Sequence, residues 1–283
     1  MPAIDRLLAP AKLTRSLAVV GRRDDGFHLL DAEMVSLDLA DELEVGEGDG
    51  LEVVDAVAWS GVDAPVDAAG GNHHGAGAAF GVPAGPDNLV ARALRLVGRT
   101  AQVRLVKRVP PGAGLGGGSS DAAAILRWAA WTDLEGAARL GADVPFCVRG
   151  GRARVTGIGD HLEALEPIDE TYVVVSPPFG VSSAAAYRAF DEVGPGGAGD
   201  EVTNDLERAA CAVEPRLVRW RAILAEAARR PPRLAGSGSS WFFPCETDGG
   251  EAKALLDEVR HALAAAGERA ALSLCKAVGP GAP

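Results

Sequence analysis

The sequence reads as an α+β chain of two domains, residues 1–166 and 167–283. Three observations predict this. A chain of 283 residues with 47% hydrophobic content can bury two modest cores. Its first forty-five residues alternate apolar and polar side chains at the period of β-strands. After the stretch EPID, which marks the domain junction, strand and helix signals alternate to the end, as in a sheet covered by helices.

The opening strands are KLTRSLAVVG and AEMVSLDLADELEV, joined by the turn-rich GRRDDGFH, so an antiparallel hairpin or meander is expected. From Trp59 to Gly85 the chain is dominated by Gly, Ala, Pro and Asp and is assigned to a surface loop. Its neighbouring His73 and His74 lack a nearby Cys, Asp or Glu partner and read as solvated residues, not metal ligands. Pro86 to Val97 opens on an Asp/Asn cap and carries apolar residues at helical spacing, predicting a helix that leads into the strand QVRLVKRV. The charges at Arg104, Lys107 and Arg108 mark that strand as half exposed. A helix is predicted from Ser120 to Trp131 and a shorter one from Asp133 to Leu140, with Pro145 arguing against continuation. Strands GRARVTG and YVVVS, a helix SSAAAYRAF, a long helix from Leu206 to Arg229, a strand at WFFP and the helix EAKALLDEVRHALAAAG complete the second half.

Composition narrows the function. The formal charge is -11, from 39 acidic and 28 basic residues, and no Lys/Arg stripe is present. Nucleic acid and anionic membranes are therefore excluded as expected partners. An anionic ligand would have to be met locally, by backbone amides, a helix end, a few cations or a metal ion. Cys147, Cys211, Cys245 and Cys275 stand far apart with no CxxC pair, so reduced, mostly buried thiols are expected. No stretch reaches the ~20 apolar residues of a membrane span; a soluble cytoplasmic protein, monomer or homodimer, is the expectation.

The most informative segment is PPGAGLGGGSSDAA. Its closely spaced glycines let backbone N–H groups approach a ligand without Cβ obstruction, and the helix that follows sets its positive N-terminal end beside them. Such a loop binds phosphate. Ser119 and Ser120 add hydroxyls for a phosphate oxygen or a magnesium ion. No GK[ST] follows, which excludes a Walker A loop; Gly112, Gly114 and Gly117 do match GxGxxG, but the charged strand and the double proline before them are foreign to a dinucleotide fold. Read by spacing alone, Lys12 is a solvated strand residue and Asp143 a turn residue before a proline.

Together with APAKL near the start, GADVPF in the middle and LAGSGSS near the end, this loop resembles the three-motif arrangement of the GHMP kinases, over nearly the whole chain. The order of APAK, GRRDDGFH, DNLVARA, the glycine loop, LGADVPF, PPFGVSSAAAY and NDLE is most similar to the branch of that family that acts on a cytidine-nucleotide alcohol. The resemblance implies an N-terminal β-α ATP-binding domain, a C-terminal ferredoxin-like domain, a cleft between them, and ATP with Mg2+ as cofactors. It assigns Pro110, Pro111, Gly112, Ala113, Gly114, Leu115, Gly116, Gly117, Gly118, Ser119 and Ser120 to ATP, Asp143 as general base, and Lys12 as the cation that orients and stabilises that pair. It also implies that Phe27 and Tyr187 sandwich the cytosine, that His28 bonds its edge, and that Ala235 to Ser240 backs the phosphate loop.

Three departures stand out: Phe27 where the family more often has Tyr, Thr14 where it has Asn, and a shortened connection before Asp143. A helical hairpin, outward over about 18 Å at ~1.5 Å per residue and then back, would return Asp143 to the loop. A homoserine- or mevalonate-type alcohol kinase, a non-catalytic nucleotide-binding relative and a dinucleotide oxidoreductase are the alternatives.

Overall fold

Strands β1 (Asp5–Arg22) and β2 (His28–Gly46) form one long antiparallel hairpin closed by the predicted turn. The structure is a computed structural model and describes residues 4–60, 81–195, 204–246 and 250–281. The hairpin register slips between Pro10 and Lys12 and again between Thr14 and Ser16. Bulges of this kind bend a strand and re-aim side chains. Here they bracket Lys12, Leu13 and Thr14, all buried, so the usual alternation is lost where the strand passes under the glycine loop.

Strand β3 (Gly50–Asp55) runs parallel to β5 (Gln102–Lys107), and β5 pairs antiparallel with β2. Two-residue β4 (Trp59–Ser60) pairs with the last strand, so the first two residues of the expected loop are strand instead; residues 61–80, with His73 and His74, lie outside the described residues. Helix α1 (Leu89–Leu96) is capped by Asn88, whose side chain accepts from Val90 N at 2.8 Å. Helix α2 (Gly117–Trp128) starts three residues earlier than predicted and stops at Trp128. Its start is set by Gly116, whose φ of 66° breaks the chain direction, and not by a Ser or Asp cap.

Helix α3 (Leu134–Ala138) has Asp133 as its cap, and α4 (Val144–Arg149) begins immediately after Asp143. Pro145 does not end a helix, as its position suggested, but occupies the first turn of a new one, where its missing N–H costs nothing. Strands β6 (Arg152–Gly157) and β7 (His161–Ala164) pair with each other, and β6 also pairs with β2.

In the second half, β8 (Thr171–Ser176) leads to α5 (Ser183–Val193), α6 (Glu207–Val213) and α7 (Arg216–Ala228). The single helix predicted from Leu206 to Arg229 is thus two, divided at Glu214 and Pro215, because the proline cannot donate to the preceding turn. Strands β9 (Arg233–Leu234) and β10 (Trp241–Cys245), helix α8 (Gly250–Ala265) and β11 (Ala270–Val278) follow. Strand β11, unpredicted, lies in the order β11-β8-β10-β9. A β-α-β-β-α-β chain with that antiparallel order is the ferredoxin-like arrangement. Strand β11 also pairs with β2 through Ala277 and Val278, making one continuous sheet.

One core, including Leu43, Leu105, Ile125 and Phe146, fills the first half, and another, including Trp220, Trp241 and Phe243, fills the second. A third is shared. Leu13, Leu37 and Leu115 meet Tyr172, Val174, Phe242 and Cys275 beneath the glycine loop. Among the described residues no helix is long and apolar enough to cross a membrane.

Candidate active site

The glycine loop is a backbone cradle held from both halves of the molecule. Lys12 N donates to Leu115 O at 3.0 Å, and Ser240 N donates to Ala113 O at 3.0 Å. A Cβ on Gly114 would stand 2.3 Å from Ala235 O, so the third glycine-rich motif packs against the loop from behind. Asn204 of the NDLE motif fixes that motif in turn, its Nδ2 donating to Leu234 O at 2.9 Å and Gly236 O at 2.7 Å. Helix α2 has no side-chain cap, and its first-turn N–H groups have no acceptor within the helix, which leaves them for an anion. The twelve-residue helix and the two crowded glycines fit a nucleotide phosphate chain.

The two serines are not equivalent. Because α2 begins at Gly117, Ser120 is already inside the helix; it is fully buried and its Oγ donates to Pro10 O at 2.5 Å. The Ser120 hydroxyl proton is thus engaged by β1, while Ser119 is the third residue of the helix, with no bond of this kind to β1 among the described residues.

Lys12 and Asp143 come together. Lys12 Nζ lies 3.4 Å from Asp143 Oδ2, with the lysine side chain 7% and the carboxylate 33% exposed. The return of the chain through α3 to α4 brings this about, as the hairpin argument required. Thr14 is buried and its Oγ1 accepts from Lys12 Nζ at 3.2 Å, so it steers the ammonium. The aliphatic stem of Lys12 lies against the cradle: a Cβ on Gly116 would be 2.6 Å from Lys12 Cγ. Cys147, in the turn after Asp143, is buried, and burial pushes its thiol up to about 12, so it is no nucleophile.

Phe27, His28 and Tyr187 meet only in part. Phe27 is 58% exposed at the hairpin turn, whereas the His28 ring stacks on Tyr187, centroids 5.0 Å apart and planes at 24°. The expected sandwich of Phe27 and Tyr187 is not preformed, because the imidazole itself covers one face of Tyr187. Burial raises the Tyr187 phenol above its ordinary value, and the Asp143 carboxylate adds to this, so the ring lies within electrostatic reach of the proposed base.

Two features escaped sequence reading. The Lys107 ammonium is buried and bonded to Asp41 and, at 2.6 Å, to Asp121; it is not on an exposed strand face. Desolvation, with Asp41 adding to it against the opposing Lys107, pushes the Asp121 carboxyl up to about 7. The other is Asp191, whose Oδ1 accepts from His28 Nε2 at 2.7 Å. An acidic residue one turn beyond Tyr187 was the available signal, but which side chain it would meet depends on the hairpin turn 163 residues earlier.

The GHMP kinases N terminal domain matches residues 88–151, the span from the α1 cap through the glycine loop to α4. The 4-diphosphocytidyl-2-C-methyl-D-erythritol kinase of Paracoccus denitrificans is 36% identical over 263 residues, 86% of this chain and 87% of that one. The same enzyme of Ruegeria pomeroyi is 34% identical over 276 residues, 89% and 92% of the two chains. A crystal structure of 4-(cytidine 5'-diphospho)-2C-methyl-D-erythritol kinase superposes with a TM-score of 0.68 at 30% identity, over 97% of this chain and 100% of that one. With its glycine cradle, its Lys12–Asp143 pair and relatives that run almost its full length, the chain belongs to the 4-diphosphocytidyl-2-C-methyl-D-erythritol kinase family of GHMP kinases.

Proposed function

We propose that this chain transfers the γ-phosphoryl group of ATP to the 2-hydroxyl of 4-diphosphocytidyl-2-C-methyl-D-erythritol, a step of isoprenoid precursor biosynthesis outside the mevalonate route. The observation that carries the reading is the Lys12–Asp143 pair, 3.4 Å apart, with the stem of Lys12 packed on Gly116 of the cradle. A carboxylate next to a phosphate cradle can accept the proton of an attacking hydroxyl, and the ammonium beside it offsets charge on the oxygen. Phosphoryl transfer asks for little beyond such positioning and charge compensation.

Residues Pro110 to Ser119 bind the nucleotide, with Ser120 holding α2 to β1. The cytosine is met by His28, Tyr187 and the exposed Phe27. Mg2+, when bound, neutralises charge on the β- and γ-phosphates. The Ser119 hydroxyl, in the first turn of α2, would be the protein group to hold it beside the cradle. The enzyme acts in the cytoplasm on a small molecule, with residues 1–166 carrying the ATP site and 167–283 the ferredoxin-like half.

ADP release coupled to a reporter reaction tests this. Turnover is expected with the cytidine substrate and Mg2+-ATP, and not with homoserine or mevalonate. Asp143→Asn should lower kcat by about 10²- to 10⁴-fold while the ATP dissociation constant stays within about threefold. A folded wild-type protein with no turnover, or an Asn variant as active as wild type, sinks the reading.

A further inference from the structure

His28 is enclosed by one face of α5. Tyr187, Phe190 and Asp191 stand at positions i, i+3 and i+4 and so share a side of the helix. Tyr187 stacks on the imidazole, Phe190 meets it edge-on at 5.9 Å and 88°, and Asp191 Oδ1 takes the bond from Nε2 at 2.7 Å. The other carboxylate oxygen is anchored by Arg22, 3.4 Å away. With its side chain only 10% exposed, the imidazole is held in place by these contacts.

A carboxylate only accepts, so the proton must sit on Nε2. In the neutral ring Nδ1 is then a lone-pair acceptor, and among the described residues it makes no hydrogen bond. An acceptor at that position meets a donor on its ligand. The exocyclic amine of cytosine is such a donor, whereas uracil carries a carbonyl oxygen there and would set acceptor against acceptor.

We propose that Asp191 is a specificity-determining positioning residue: by fixing the proton on His28 Nε2 it presents Nδ1 as an acceptor, which selects a cytidine over a uridine acceptor nucleotide. This rests on the reading of His28 as the residue that meets the base edge. Asp191 does not touch the reacting atoms; it acts through His28.

The test compares kcat/KM for the cytidine substrate with that for the uridine diphosphate analogue of the same alcohol, at pH 8, above the ordinary imidazole range. Asp191→Ala, a change at a partly exposed helix position, is expected to shrink the cytidine preference about tenfold, through the KM of the cytidine compound, with kcat within about twofold. Asp191→Asn, whose amide oxygen still accepts from Nε2, should keep most of it. An unchanged preference in Asp191→Ala, or a loss shared equally by both nucleotides, overturns the proposal. The imidazole 15N shifts of His28 in the full chain give a second readout, independent of turnover. They should report a proton on Nε2 in wild type and a tautomer mixture in Asp191→Ala, and a wild-type ring protonated on Nδ1 also overturns it. Wild-type turnover of the cytidine compound bears separately on the proposed function: its absence counts against that reading, while the nitrogen shifts still decide the role of Asp191.

Discussion

Gly116 is where the cradle and the proposed catalytic lysine share space. Its φ of 66° lies in the left-handed region, and a Cβ there would sit 2.6 Å from Lys12 Cγ and 3.1 Å from Lys12 Cε. Gly116→Ala should therefore cost about 1–2 kcal/mol of stability from the backbone alone. The lysine stem can yield, but only by carrying Nζ away from Asp143. Since a misplacement near 1 Å can cost about 10²-fold, kcat at saturating ATP should fall at least tenfold. A variant that melts lower but turns over normally would show that the lysine stem need not stay where it lies. At this scale the sequence was legible through motifs only. Lys12 and Asp143 are 131 residues apart and each alone looks like an ordinary surface residue; only the resemblance joined them. Lys107 was misread for the opposite reason. The charges of QVRLVKRV suggest an exposed face, and nothing local announces that Asp41 and Asp121 converge to neutralise one of them.

At the scale of elements, that buried cluster ties α2 to β2 and β5. Asp41 Oδ1 accepts from Val109 N at 2.8 Å, and Lys107 bridges Asp41 to Asp121 on the helix. The Asp121 carboxyl is raised from 3.8 to about 7 in the folded chain, so between those two pH values the folded state holds a proton that the unfolded state has released. The sign follows: this group favours folding at low pH, and its contribution is lost as pH rises from near 3.8 to about 7, with no further change above. Asp121→Asn, which keeps the neutral shape, removes that dependence. Chemical denaturation at pH 5 and pH 8 should show the variant gaining on wild type as pH rises, and a constant difference between the two proteins would refute the assignment. Element boundaries were less legible than element types. The sequence marks α2 as a helix by its alanines, but its start depends on the left-handed turn at Gly116, which no cap residue advertises. Strand β11 went unread because AALSLCKAV follows closely on a helix of similar alanine- and leucine-rich composition; its partners lie on β2, β4 and β8.

For the whole molecule the question is whether the proposed division at residues 166 and 167 separates two units that fold alone. The shared core argues that it does not. Tyr172, Val174, Phe242 and Cys275 of the second half are each 0–1% exposed, and they are covered in part by Leu13, Leu37 and Leu115 of the first. Arg15 reinforces the junction, pairing with Glu33 of β2 and, at 2.7 Å, with Glu170 just before β8, while Arg152 holds Glu33 from β6 at 2.8 Å. Burying such side chains contributes roughly 1.5–3 kcal/mol each. Uncovering four of them is comparable with the whole margin of about 5–15 kcal/mol that a folded domain has. Residues 167–283 expressed alone should therefore lack a cooperative transition and bind an apolar dye, whereas the full chain should melt in one calorimetric transition. Arg15→Met should keep that single transition and lower it, since about 1–3 kcal/mol is lost when Glu33 and Glu170 each lose a partner. Two resolved transitions in the wild-type chain, or a stable fragment with native near-ultraviolet dichroism, would show that the halves are independent and that the core beneath the glycine loop does not join them.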